Sequence, residues 1–477
     1  MNNTKQMEAL KSLAEVAKER DLPGKKVYLA SVRVSPGAYL AASSVLTFSA
    51  ALLLRSGKEG WALVGLVIAW LVIPLFALTD KIAFDGQSLI RRGLVPFVHQ
   101  LVSGRSQQLS LADFERVDTN AVRTLRRGGR VRYRYRSMVV GKGTGFVFAS
   151  GGKSFREMVR QLFPLIHDDK IDLRTRELRD YLCDPKSLNS EVAALRLASD
   201  DVLGNVSSKF RIGGKKDSCE GESKSLKTDS RDIERALLLR QLGNQLRVAG
   251  RLREAGEAFR RALNVLPGDR WLIYDLARLL RSQASALSDA RLLSRGRAAL
   301  RLSFIRAGED SGLLALIGES FLEYNESARA ERSFQKSIDL EPGNFRARLG
   351  LADVALRNGK LAHVIHQYRD ASQVASGKAL VRYARREADY YVRLNDDDDY
   401  LAAELGRINW LQTLTRVKRL AARVTNASIL IALAGPYIDP AIGGIGWALA
   451  SSSLVAWVTS LFASKAISER RKPRSAD

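Results

Sequence analysis

The sequence predicts a multi-domain membrane protein, with α-helical transmembrane hairpins at both ends, a small α+β domain and an all-α repeat solenoid. Three observations carry this. Long uncharged apolar stretches lie near both ends, a run of short β-prone segments follows the first pair, and a helix-pair pattern recurs in the second half. The 477 residues are ample for several cores. With 76 Lys and Arg against 51 Asp and Glu, the net charge of +25 favours polyanionic surroundings: anionic lipid, acidic protein or nucleic acid. Cys183 and Cys219 are the two cysteines, and neither stands in a CxxC pair, which argues against a disulfide framework or a structural zinc site.

Residues 1–34 read as a polar cytoplasmic segment, followed by a hairpin over 35–79. GAYLAASSVLTFSAALLL (37–54) and WALVGLVIAWLVIPLFAL (61–78) contain no charged residue, and each is near the roughly 20 residues that cross a bilayer. The connector RSGKEG allows only a tight turn. A signal peptide fits poorly, because the first apolar run follows a long polar stretch and a second comes at once. The device repeats at 425–466, where RVTNASILIALAGPYI (423–438) turns at Asp439-Pro440 into AIGGIGWALASSSLVAWVTSLFAS (441–464). The short first arm leaves open a re-entrant or interfacial helix in place of a full span. Lys25, Lys26 and Arg33, then Lys81, Arg91 and Arg92, then Arg416, Lys418, Arg419 and Arg423, and finally Lys465 and the basic tail 467–477 flank the four arms. The positive-inside rule therefore places both termini and the whole middle in the cytoplasm, beneath a bacterial inner membrane.

Segment 80–168 reads as strands closed by a helix. KIAFDGQSLIRRG offers a hairpin around Asp85-Gly86. QQLSLADFERVDTN, RVRYRYRSMVV and TGFVFAS add strands, and SFREMVRQLFPLI sets Phe155, Met158, Val159, Leu162, Phe163 and Ile166 on one helical face. In RVRYRYRSMVV period two turns Val131, Tyr133 and Tyr135 inward and Arg130, Arg132, Arg134 and Arg136 outward, joined by Arg123, Arg126 and Arg127. The element order resembles the bacterial pleckstrin-homology-like domains found beside membrane helices. The resemblance implies a lipid-facing role for Arg126, Arg127, Arg130, Arg132, Arg134 and Arg136, against the alternative of a solvated strand face. Nucleic acid is not the expected partner, since the tyrosines turn inward and form no stacking platform.

Residues 169–230, rich in Ser, Lys and Gly toward their end, read as a flexible linker. From 231 to 396 the pattern changes. Leu239, Leu242, Gly243, Leu246, Ala255, Phe259, Ala262 and Pro267 recur as Leu314, Ile317, Gly318, Phe321, Ala330, Phe334, Ser337 and Pro342, 75 positions later. That is one repeat of about 34 residues plus one longer by about seven in its turn or second helix. Small residues let paired helices approach, and phenylalanines fill the gap to the next unit. The pattern resembles the tetratricopeptide (TPR) repeat, and a further, more degenerate unit begins at Phe345.

The TPR resemblance implies a groove lined by the first helix of each pair, binding protein partners through Arg240, Asn244, Arg247, Tyr274, Arg278, Arg281 and Arg346, with Glu319 and Asp353 nearby. The basic first half favours an acidic segment. Asp275 stands where the chaperone-binding clamp has asparagine, which argues against that subclass. Residues 397–424 read as an amphipathic helix approaching the last hairpin.

No catalytic constellation emerges. GKGTG (141–145) lacks phosphate-loop spacing, His363 and His366 lack a third ligand, and Asp396 to Asp399 lack the pattern of a calcium loop. The expectation is a non-enzymatic scaffold without cofactor or metal, recruiting partners in an envelope biogenesis, secretion or signalling complex. The alternative is an accessory subunit of a membrane enzyme or transporter, disfavoured because the apolar arms carry no charge at membrane depth.

Overall fold

A computed structural model describes residues 28–34, 37–103, 107–125, 131–142, 144–150, 152–195, 197, 230–437 and 439–468. The chain divides into two compact units, one of residues 1–35 and 79–388 and the other of 36–78 and 389–477.

The first unit opens with two antiparallel sheets. Strands β1 (Ala30–Arg33), β2 (Lys81–Phe84), β3 (Ser88–Arg92) and β4 (Gln108–Ser110) form one, in that order. β5 (Arg116–Leu125), β6 (Val131–Gly141) and β7 (Thr144–Ala149) form the other. The Asp85-Gly86 turn forms as expected: Gly86 takes a left-handed φ of 93°, and Asp85 Oδ1 accepts from the amides of Gln87 and Ser88 at 2.9 and 2.6 Å. The sequence reading missed β1, which precedes the apolar hairpin and pairs across it with β2. Four residues carry too little periodicity to reveal a strand whose partner is so distant in sequence. The stretch read as one strand, QQLSLADFERVDTN, splits into β4 and β5 around the turn Leu111–Asp113.

Helix α4 (Lys153–Leu162) closes the sheets, and all six apolar residues of its predicted stripe and continuation are buried. They join Phe84, Phe114, Phe146 and Phe148 in one core. Between β3 and β4 lies α3 (Leu94–Ser103), numbered after the two helices of the second unit that precede it in the chain.

Residues 169–194 differ from the flexible linker expected of them. They form α5 (Leu173–Tyr181) and α6 (Pro185–Ala194). Asp172 caps α5, its Oδ1 accepting from Thr175 N at 2.9 Å and from Thr119 N of β5 at 3.1 Å, so the helix is stitched to the sheet. Residues 198–229 of that segment lie outside the described residues.

Helix pairs follow: α7 (Ser230–Ala249) with α8 (Leu252–Val265), α9 (Arg270–Leu287) with α10 (Ala290–Arg306), α11 (Ser311–Glu323) with α12 (Ser327–Leu340), and α13 (Phe345–Arg357) with α14 (Leu361–Val374). α15 (Lys378–Asp396) closes the series. The extra residues of the second repeat lengthen both its helices, to 18 and 17 residues against 13 and 14 in the third. Aspartates or asparagine cap the first helix of the second, third and fourth pairs: Asp269, Asp310 and Asn344 each accept from the amide three residues on. The repeat logic holds at atomic detail. A methyl group on Gly243 would meet the Phe259 ring at 2.9 Å, and one on Gly318 would meet the Phe334 ring at 2.5 Å.

The second unit holds α1 (Gly37–Arg55), α2 (Glu59–Thr79), α16 (Asp398–Ala434) and α17 (Pro440–Ser468). α1, α2 and α17 are long and apolar enough to cross a membrane. The expected amphipathic helix 397–424 and the third apolar arm form one continuous helix of 37 residues, since no glycine or proline interrupts the join. Small residues bring α16 and α17 together: a Cβ on Gly446 would lie 2.5 Å from Ala432 N, and Thr425 and Ser453 hydroxyls meet at 2.9 Å.

Candidate interaction surface on the inner helices

The first helix of each pair presents the residues singled out from sequence, and the structure gives nearly all of them partners within the chain. At the centre is Glu177 of α5. Its Oε1 accepts from Arg247 Nη1 at 3.0 Å and from Arg278 Nε and Nη2 at 3.0 and 2.5 Å. Arg247 also donates to Asn244 Oδ1 at 3.1 and 3.3 Å, and Arg278 Nη1 reaches Glu323 Oε2 at 2.7 Å. Glu177, Asn244, Arg247, Tyr274 and Arg278 are all buried. Burial alone would raise the Glu177 carboxyl, but Arg247 and Arg278 outweigh it and hold it down at about 2. The carboxylate held by these two arginines thus comes from the chain itself.

Sequence reasoning missed Glu177 because it sits in a stretch read as linker. The available signal was the cap Asp172-x-x-Thr175 opening a short helix with Leu173 and Leu178 as its apolar residues. Leu178 turns into the sheet core while Glu177, one residue earlier, faces the solenoid.

The other candidates are also engaged. Arg240 Nε donates to Asp275 Oδ2 at 2.6 Å and its guanidinium lies 5.1 Å from the Trp271 ring, so the residue that breaks the chaperone-clamp pattern is the partner of Arg240. Tyr274 shares a hydrogen bond with Ser320 at 3.3 Å. Arg281 Nη2 donates to Glu323 O at 3.2 Å, and Arg346 Nη2 to Glu319 Oε2 at 2.9 Å.

The sheets also grip the solenoid. Tyr135 donates to Val248 O at 2.7 Å, Arg123 Nη1 to Ser285 Oγ at 3.2 Å, and Arg116 Nη1 to Tyr383 OH at 3.3 Å. Arg382 and Arg386 pair with Asp113 and Glu115 at 3.0 and 2.9 Å. Two expectations are corrected here. Tyr133 and Tyr135 turn inward but face α7, and Arg123, read as outward, lies on their side. Arg132, Arg134 and Arg136 are exposed on the opposite side of β6, whereas Arg126, Arg127 and Arg130 lie outside the described residues.

Gly250, after α7, has a φ of 85°, and a Cβ there would lie 2.2 Å from Val131 O. Gly359 has a similar φ of 71° but open space around it. Both valine substitutions carry left-handed strain of about 1–2 kcal/mol. Gly250→Val should therefore lower the thermal midpoint of the first unit clearly more than Gly359→Val; equal shifts would mean that the β6 contact contributes nothing.

Where α5 ends its cover, a cavity of about 280 Å³ remains, lined among others by Asp172, Arg174, Glu319, Arg346, Asp353 and Tyr383. Asp353 opens onto it, and enclosure by the surrounding protein pushes its carboxyl up despite Arg116 and Arg357. Among the described residues no group of three or more His, Cys, Asp and Glu comes together to hold a metal ion, and His366 pairs with Asp370 at 3.5 Å.

No family model matches the chain, and no curated protein does. Solved structures that resemble it include the following two. MamA is 15% identical over 35% of this chain and 95% of its own, with a TM-score of 0.25. Pseudomonas aeruginosa PilF is 16% identical over 49% of this chain and 99% of its own, with a TM-score of 0.30. The helix-pair assignment rests on the repeat packing described above.

Proposed function

We propose that this chain is a non-catalytic adaptor, anchored in a bacterial inner membrane by its apolar helices, whose TPR-type solenoid recruits protein partners on the cytoplasmic side. The observation that carries the reading is the Glu177 contact: the inner face is built to hold a carboxylate on two buried arginines, and a partner with an acidic segment offers the same chemistry. In the resting chain α5 takes that place, so an acidic partner competes with it. The pleckstrin-homology-like sheets orient the solenoid, and the exposed row Arg132, Arg134 and Arg136 meets anionic headgroups.

Purification in mild detergent tests this with three forms: wild type, Glu177→Ala, and the fourfold alanine variant at Arg240, Asn244, Arg247 and Arg278. Glu177→Ala should enrich a protein partner that the fourfold variant loses; identical protein sets from all three forms would sink the groove reading. Anionic lipid retained per protein should fall when Arg132, Arg134 and Arg136 become glutamate. Alkaline extraction should leave the chain in the membrane pellet, and protease should reach the middle only from the cytoplasmic face.

A further inference from the structure

Helix α3 bears a stripe that nothing above uses. Leu94, Phe97, Val98 and Leu101 follow the i, i+3, i+4, i+7 spacing of one helical face and are 38, 60, 52 and 71% exposed, while Pro96 turns inward. Four neighbouring apolar side chains left open on a short helix form a surface suited to a partner rather than to water.

The strand register shows where this stripe lies in the first unit. Arg33, at the end of β1, pairs with Lys81, at the start of β2, and Lys81 pairs with Arg92, at the end of β3. All three residues stand at one edge of the sheet and all are exposed. From this edge the chain leaves toward α1, which begins at Gly37, and here it returns after Thr79. α3 starts at the same edge. Gly93 has a φ of 143° and is pressed so closely on Thr79 that a Cβ would lie 2.8 Å from its carbonyl oxygen. Leu94 N approaches Thr79 Oγ1 at 3.5 Å. Buried Asp80 fixes the junction through a bidentate contact with Arg91, at 2.9 and 2.6 Å. The apolar helix thus begins in contact with the last residue of an apolar span, beside a row of three cations and with Tyr28 under the Arg92 guanidinium at 4.6 Å.

We propose that α3 is an interfacial membrane helix, with Leu94, Phe97, Val98 and Leu101 seated at the boundary between lipid headgroups and acyl chains. The inference rests on the membrane reading of α2. An amphipathic helix lying in the interface buries its apolar face to a shallow depth while adjacent cations meet anionic headgroups. The bilayer is the occupant favoured over a protein because the chain itself holds the stripe at the point where a membrane span ends. The sheet would then be fixed to the bilayer at three places: the two chain crossings and α3.

The test uses the full chain in vesicles of phosphatidylcholine and phosphatidylglycerol, with Cys183 and Cys219 replaced by serine. Single cysteines at Phe97, Leu101 or exposed Glu331 of α12 carry a nitroxide, and relaxation by oxygen is compared with relaxation by a water-soluble nickel chelate. Labels at 97 and 101 should favour oxygen severalfold over the label at 331. Water-like behaviour at 97 and 101, in protein that resists alkaline extraction, would overturn the α3 inference while leaving the spans intact. Dipolar broadening at 97 that disappears on mixing with unlabelled chain would assign the stripe to a second copy and also overturn it. Release of the protein by alkali would remove the membrane reading itself.

Discussion

Replacing Glu177 with alanine should loosen the docking of α5 on the solenoid by about 3–5 kcal/mol, because it leaves Arg247 and Arg278 buried without their shared acceptor. Hydrogen exchange at the α5 amides should accelerate by about two to four powers of ten. The same pair sets a pH dependence. The Glu177 carboxyl is depressed in the fold, so its contribution is fully present above the ordinary value of 4.5 and is lost as pH falls toward about 2. That depression corresponds to roughly 3 kcal/mol. The gap in α5 protection between wild type and Glu177→Ala should be constant above pH 4.5 and close below it. A gap that persists at pH 2 would show that packing, and not the ion pair, holds the helix. Glu177→Gln, which keeps an acceptor oxygen, should fall between the two.

The second large effect belongs to Phe334. Its fully buried ring fills the space beside both Gly318 and Gly350, where a Cβ would approach it to 2.5 and 2.3 Å. Phe334→Ala should destabilise the solenoid by about 3–5 kcal/mol, the usual cost of an emptied aromatic site. Because each repeat is held by its neighbours, the loss should concentrate in α11 to α14. Gly318→Ala should be destabilising alone and nearly neutral in the Phe334→Ala background, where the added methyl enters the vacated space. Additive effects of the two substitutions would mean that the ring and the glycine do not share a contact.

Much of the architecture follows from periodicity. The three long apolar helices, the Asp85-Gly86 hairpin, the stripe of α4 and the helix pairs all have local signatures, because each is fixed by residues within a few turns or by a repeat that recurs. The inward alternation of Val131, Tyr133 and Tyr135 was legible for the same reason. What they face was not. The candidate arginines Arg240, Arg247 and Arg278 lie on the first helices of their pairs, and their partners lie far away in sequence, in α5 for two of them.

The sequence by itself determined which segments are long and apolar, where most of the strands fall and which helices pair, since amphipathic period and repeat spacing are properties of neighbouring residues. Tertiary structure alone decided that β1 crosses the apolar hairpin to join its sheet, that α3 leaves an apolar stripe uncovered, and that Glu177 occupies the basic inner face. Those outcomes depend on which distant surfaces meet, and a charge reads the same in a chain whether it awaits a partner or already has one.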